Sequence, residues 1–270
     1  MMDQAHPAPE AARLAPEDLR ALADARELLE RGSLAILLSN FVGSPIEKGI
    51  ARLPAMLRDK LGTLARVGLE RAMDTAARTL DEGPRAASPR LHQVLGSVTG
   101  AGGGAFGLAG LSVEVPLSTV LIMRSILDIA RAEGEDIRNL ETRLAALEVF
   151  ALGGNSSADD AAESAYYAVR TLLAQTVSEA TRHLARKGLT QEGAPAMVRL
   201  LAMVAARYKV QLTQKAAGML VPGIGAAAGA TINLMFMNHF QAVSRGHFIV
   251  RRLERRYGEE AVRRAYLDAR

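Results

Sequence analysis

The run KAAGMLVPGIGAAAGATINLMFMNHFQAVSRGHF, residues 215–248, constrains the fold more than any other part of the chain. No acidic or basic side chain falls between Lys215 and Arg245, so this run must be buried or face lipid. Small residues crowd its first half, with Gly223, Gly225 and Gly229 among alanines. Gly225 and Gly229 are four apart and share a helix face that another backbone can approach closely. Larger apolar side chains follow, interrupted by Asn233, Asn238 and His239. A second run, residues 96–129, has the same plan: glycine-rich apolar residues, a proline, then an apolar helix. We expect the two runs to pack together at the centre, with the rest wrapped around them.

The remainder reads as helix. Alanine and leucine carry most of the apolar load, tryptophan is absent and aromatics make up 4% of the residues. That composition favours helices over strands. Pro16-Glu17-Asp18 reads as a helix first turn, and Leu34 to Val42 is a short apolar segment. Pro54 opens a longer helix with Leu57, Leu61 and Leu64 at helical spacing. Pro116 is expected to open the next, residues 140–152 continue as helix, and residues 194–209 form one that leads into the 215–248 run. Ser157 caps a further helix through Tyr166, Tyr167 and Arg170, and the charged tail from 248 breaks at Gly258. The expected fold class is all-α. One compact multi-helix domain over 16–270, built around the two Gly/Ala-rich elements, follows a flexible N-terminal segment over 1–15.

Several function classes fall away on composition and motif. The formal net charge is +4, arginine supplies most of the basic residues, and no basic run carries the interleaved aromatics of a nucleic-acid groove. We therefore expect no nucleic-acid partner. Without cysteine there is no thiol nucleophile and no cysteine-bound metal. The N-terminus lacks the basic and apolar regions of a signal peptide, so a cytoplasmic protein is expected. Gly102-x-Gly104-x-x-Gly107 matches the dinucleotide fingerprint in letters, but nothing downstream alternates strand with helix. No Gly-Lys-Ser/Thr follows any glycine run. We expect no cofactor, and read these glycines as helix packing.

The polar residues inside the apolar runs are the candidate site. Arg124, Asp128, Arg131 and Glu135 are spaced four, three and four apart, a stripe of alternating charge on one helix. Such a stripe is either a solvated face or one side of an internal polar seam entered at Glu114. Arg124 and Asp128 are expected to pair and to meet Asn233 or His239. Glu114 and Asp128 lie some 20 Å apart by helical rise, too far to act as a carboxylate pair. Glu179 and His183 share a helix face, yet no third ligand suggests itself, and no metal site is expected. No Gly-x-Ser-x-Gly elbow is present.

Three segments together, LSNFVGSPIEKGIARLP, EVPLSTVLIMRSILDIARAEGED and LVPGIGAAAGATINLMFMNHFQAVSRGHFIVRRLERRYG, with a looser SAYYAVRTLLA, resemble the EcsC family of bacterial proteins. The matching positions include Glu114, Pro116, Thr119, Arg124, Asp128, Gly134, Pro222, Gly225, Gly229, Asn233, Phe236, His239, Phe248 and Arg251. The family takes its name from a gene beside an ABC transport system, and the resemblance brings no established reaction with it. It implies an all-α, partly hydrophobic protein that is cytoplasmic or peripheral at the inner face of a membrane. The corresponding expectation is a non-enzymatic accessory protein that handles lipid or another amphiphile, with a membrane surface or a transport component as partner. The alternatives are a soluble helical interaction module, or a hydrolase-type enzyme using Glu114, Arg124, Asp128 and His239. Substrate, partner identity and oligomeric state are not legible in the residues.

Overall fold

A computed structural model describes residues 14–30, 34–43, 46–79, 107–152, 164–187, 195–219 and 226–268. The N-terminal segment up to residue 13, most of the 102–107 glycine run, the Ser157 cap, Pro222 and Gly225 lie outside the described residues. Among the described residues there are ten α-helices and no strand. They are α1 (Pro16–Glu30), α2 (Leu34–Val42), α3 (Ile46–Arg52), α4 (Ala55–Thr79), α5 (Gly107–Ala132), α6 (Leu140–Glu148), α7 (Ala165–Lys187), α8 (Pro195–Met219), α9 (Ala226–Tyr257) and α10 (Glu259–Asp268). A 3-10 turn, Val149–Ala151, follows α6. The fold is all-α.

Two helix boundaries differ from expectation, each for a physical reason. Pro116 lies inside α5, which starts at Gly107. Proline in a helix interior forfeits one backbone hydrogen bond, here the one to the Ser112 carbonyl. Burial of Leu111 and Val115, in the turn preceding Pro116, supports that turn despite the loss. The helix expected over 194–209 continues to Met219, so Lys215 stands inside α8. The organising run is therefore divided between two elements, the end of α8 and α9 as far as Phe248.

α9 has 32 residues and is about 48 Å long. It packs on α1 along one side and meets α5 on another, while α5 lies along α4. The two central runs thus do touch, each with a further helix of its own. α8 crosses behind them and contacts α2, α3, α4 and α7. Gly229 is buried, and close approaches are also found at Gly49 and Gly246. A Cβ at Gly246 would sit 2.8 Å from the Ala25 carbonyl oxygen, and one at Gly49 would sit 2.9 Å from the Ala217 carbonyl oxygen. Only glycine lets α9 cross α1, and α3 cross α8, at these distances. Gly258, at φ +86°, turns the chain from α9 into α10.

The chain has only five tyrosines and six phenylalanines. Four of them interlock in the core. Phe150 meets Tyr208 edge-on at 4.9 Å and Phe240 at 5.2 Å, and Phe236 meets Phe240 at 5.1 Å. Beside this cluster runs a buried polar seam. The Lys215 ammonium donates to Glu114 at 2.6 Å and to Asn233 at 2.5 Å, and stands 4.8 Å above the Phe236 ring. Thr119 and Tyr208 hydroxyls bond at 3.0 Å, and Gln241 donates to Ser125 at 2.9 Å. The seam therefore joins α5, α8 and α9.

Lys215 is fully buried and Glu114 is 3% exposed, so neither charge is shielded by water. Removing one member of such a pair strands the other at a cost of ~3–5 kcal/mol, whereas replacing both is far milder. Lys215→Met should lose about that much in urea denaturation, and adding Glu114→Leu should recover much of it. A single variant within ~1 kcal/mol of wild type would mean that the ammonium reaches solvent.

Candidate functional site

The carboxyl-terminal half of α9 carries His247, Arg251 and Glu254, spaced four and three apart and hence on one stripe. α7 lays Tyr166, Tyr167 and Arg170 against that stripe from its first two turns. Ser164 fixes the entry to α7: its hydroxyl accepts from the Tyr167 backbone N–H at 3.4 Å and donates to Glu30 of α1 at 2.7 Å. α6 is capped by the Asn139 side chain, which accepts from the Glu141 N–H at 3.0 Å. Its last residue, Glu148, is thereby presented towards His247.

Arg170 grips Glu254 with two parallel hydrogen bonds, 2.6 and 3.1 Å, the geometry that suits a guanidinium to a carboxylate. It also donates to the Tyr166 hydroxyl at 3.4 Å, and that oxygen lies 3.0 Å from His247 Nδ1. With Arg170 donating to the same oxygen, the hydroxyl proton is best spent on Nδ1. The neutral ring then carries its proton on Nε2, which has no hydrogen-bond partner among the described residues and stands 4.0 Å from Glu148 Oε2. Arg251 donates to Glu135 at 2.9 Å and to Glu141 at 3.3 Å. Arg255 also engages Glu135, and the Thr142 hydroxyl donates to it at 3.0 Å.

Some of these groups line a groove of about 520 Å³ between α6, α7, α9 and α10. Glu141, Glu148, Tyr167, Arg170, Arg251 and Arg263 form its polar side, and Ala145, Ala174 and Val177 supply apolar surface. The Arg170 and Arg263 guanidiniums lie 5.7 and 5.6 Å from the Tyr167 ring centroid. The Tyr167 hydroxyl is buried and has no hydrogen-bond partner among the described residues.

Burial governs the acid–base character here. It pushes the Glu148 carboxyl up to about 7, against the pull of Arg170 and Arg251. It holds His247 well below its usual range, and the same two arginines push in the same direction. Burial also raises both Tyr166 and Tyr167. Behind the groove, a fully buried neutral imidazole thus stands near a lining carboxyl that exchanges its proton near neutral pH.

The structure distributes the residues singled out in the sequence over several places. Glu114 and Asn233 come together on Lys215. Asp128 is held by Arg131, three residues on, and Arg124 is half-buried on the same helix. His239 is buried with its ring 5.5 Å from Phe240. Glu135 lies past the end of α5 and serves Arg251 and Arg255. Glu179 accepts from Arg199 at 2.6 Å, and the His183 side chain lies outside the described residues. Among the described residues no three His, Asp or Glu side chains converge to hold a metal ion. Sequence reasoning missed Lys215, Glu148, Arg170 and His247 as site residues. The signal for two of them, His247 and Arg170, was present in the helical spacing of His247, Arg251 and Glu254 and in the Tyr-Tyr-x-x-Arg of α7.

A pH dependence follows from Glu148. Its carboxyl rises from 4.5 to about 7 on folding, so the unfolded chain releases this proton first. The folded state gains on the unfolded one as pH falls from about 7 to about 4.5, and loses that advantage as pH rises through the same window. His247 acts in the opposite sense and costs stability as pH drops below its ordinary value of 6.5. Glu148→Gln cannot ionise, so relative to wild type it should gain ~2 kcal/mol between pH 5 and pH 8 in urea denaturation. An offset equal at both pH values would show that the carboxylate is well solvated.

No curated protein and no solved structure matches the chain. The sequence pattern of the EcsC protein family matches residues 19–253, which takes in α2 to α8 complete and nearly all of α1 and α9. The match spans the buried hub and most of the groove, and on that ground this chain belongs to the EcsC protein family.

Proposed function

We propose that this protein is a non-enzymatic accessory protein that docks on an anionic membrane surface, at the inner face, and handles an amphiphile there. The observation that carries the reading is α2. Of its nine residues, LAILLSNFV, only Ser39 and Asn40 are polar. Ser39 is used internally, accepting from the Ile46 N–H at 3.0 Å. Leu34 and Leu38 are buried, which leaves Ile36, Leu37 and Phe41 exposed at 53%, 39% and 41%.

α2 and α3 stand side by side on the end of α8. Leu38 and Ile46 both pack at Gly218, and Gly49 packs at Ala217, so the two outer faces look the same way, away from α8. The outer face of α3 presents Lys48 and Arg52 with a single acid, Glu47. The first turns of α4 add exposed Met56, Arg58 and Lys60 with Asp59. Apolar side chains flanked by an excess of basic ones suit an interfacial helix on anionic lipid.

Magnitudes decide between peripheral and integral attachment. Half-exposed apolar side chains contribute about 1 kcal/mol each on burial, and each basic residue near an anionic surface adds about 1 kcal/mol. The sum supports weak, salt-sensitive binding. Among the described residues no helix is long and apolar enough to cross a membrane. Service to an ABC-type transport system is part of the proposal and rests on the family's namesake.

Sedimentation with vesicles tests it. The protein should bind phosphatidylcholine vesicles containing 30% phosphatidylglycerol at low salt, as order-of-magnitude conditions for an anionic surface. Binding should fall severalfold in Ile36→Ser/Phe41→Ser and in high salt. Absence of binding, or binding indifferent to those substitutions, would contradict the reading. A dimer broken by the same pair would instead make α2 an interaction face between copies.

A further inference from the structure

We infer that the groove between α6, α7, α9 and α10 is a binding site for an oxyanion headgroup, a phosphate ester or carboxylate, carried on a short apolar stem. The inference rests on hydrogen-bond inventory. Of the lining acids, Glu141 accepts from Arg251, and behind the lining Glu254 and Glu135 are taken by Arg170 and Arg251. Set against them are spare donors. Tyr167 lines the groove and is only 6% exposed, and its hydroxyl, buried beneath the lining, has no partner among the described residues. Burying a hydroxyl without a partner costs about 1–3 kcal/mol, so the site is incomplete as it stands.

Two further donors stand in the same lining. Arg263 and Arg182 are exposed, and neither pairs with a carboxylate among the described residues. Glu141 and Glu259 are the exposed acids in the lining, and Arg251 engages Glu141. Burial pushes the Glu148 carboxyl up to about 7, and in its protonated form it donates rather than repels. A ligand that only accepts, and that bears negative charge, satisfies this set. A ligand that only donates would leave the Arg182 and Arg263 guanidiniums and the Tyr167 hydroxyl proton unmet.

The remaining wall settles what the oxyanion is attached to. Ala145, Ala174 and Val177 offer apolar surface next to the donors, and about 520 Å³ is room for a headgroup with the first carbons of a chain. The amphiphile-handling reading bears only on this stem. The oxyanion subsite stands on the donors alone.

Calorimetric titration with two probes of identical charge tests the site: dimethyl phosphate, and dihexanoylphosphatidylglycerol below its micellar concentration. Both are phosphodiester monoanions, so neither titrates with the groove. Binding of the lipid at least tenfold tighter than dimethyl phosphate identifies a headgroup with its chain. Equal affinities identify a free phosphate ester and support the subsite without the stem. Tyr167→Phe keeps the ring and should weaken either probe about tenfold, the worth of one good hydrogen bond to a charged group. Arg182→Gln/Arg263→Gln should weaken both further and flatten the salt dependence. No binding of either probe at millimolar concentration, or binding unchanged in both sets of variants, overturns the inference. Vesicle sedimentation of Tyr167→Phe should match wild type, so failure here and failure of docking through α2 are told apart.

Discussion

One buried ammonium holds the centre of this protein together. Lys215 of α8 reaches Glu114 of α5 and Asn233 of α9, and caps the face of Phe236. A lysine taken fully out of water is tolerated only where its charge is met and its donors are used. That requirement fixes three helices at one point. A slip of any of them by one residue would leave a charge facing the aromatic cluster of Phe150, Tyr208, Phe236 and Phe240. The apolar packing around the hub supplies most of the stabilisation, and the hub supplies register.

The consequence is felt at the other end of α9. Asn233 near its start is tied to Lys215, and Gly246 is pressed onto the Ala25 backbone. With those two points set, the His247–Arg251–Glu254 stripe has one orientation towards α7 and α6. The groove is therefore positioned by a rigid rod rather than by loops. Its chemistry also depends on this placement, since Glu148 rises and His247 falls only because both are sealed against the rod. Functional geometry held on helices in this way is more precise than geometry held on connecting segments.

Much of the fold was legible and much of the site was not, for separable reasons. Periodicity and punctuation carried the helices: Leu57, Leu61 and Leu64 marked α4, and Gly258 marked the turn into α10. Pro116 misled because a single missing N–H is a smaller term than the burial of its neighbours. Lys215 was visible only as the edge of an uncharged run, since its role depends on α8 continuing past it and on partners 101 and 18 residues away. Likewise, Gly49 and Gly246, two glycines at close helix approaches, have no small-residue neighbourhood to announce them. They are set by which helices cross, and a single sequence does not state that. The Tyr166–His247–Glu148 relation spans three helices and was beyond any local pattern.

Lysine reactivity tests the central claim most directly. The chain has lysines at 48, 60, 187, 209 and 215, and Lys48 and Lys60 are exposed whereas Lys215 has no accessible surface. Brief acetylation of the native protein, read by peptide mass spectrometry, reports how far each ammonium is reached by solvent. The account predicts that Lys48 and Lys60 are modified rapidly while Lys215 stays unmodified until the protein is unfolded in denaturant. Modification of Lys215 in the native protein at the rate of Lys48 would contradict it, because a solvated lysine cannot be the charge on which α5, α8 and α9 are registered.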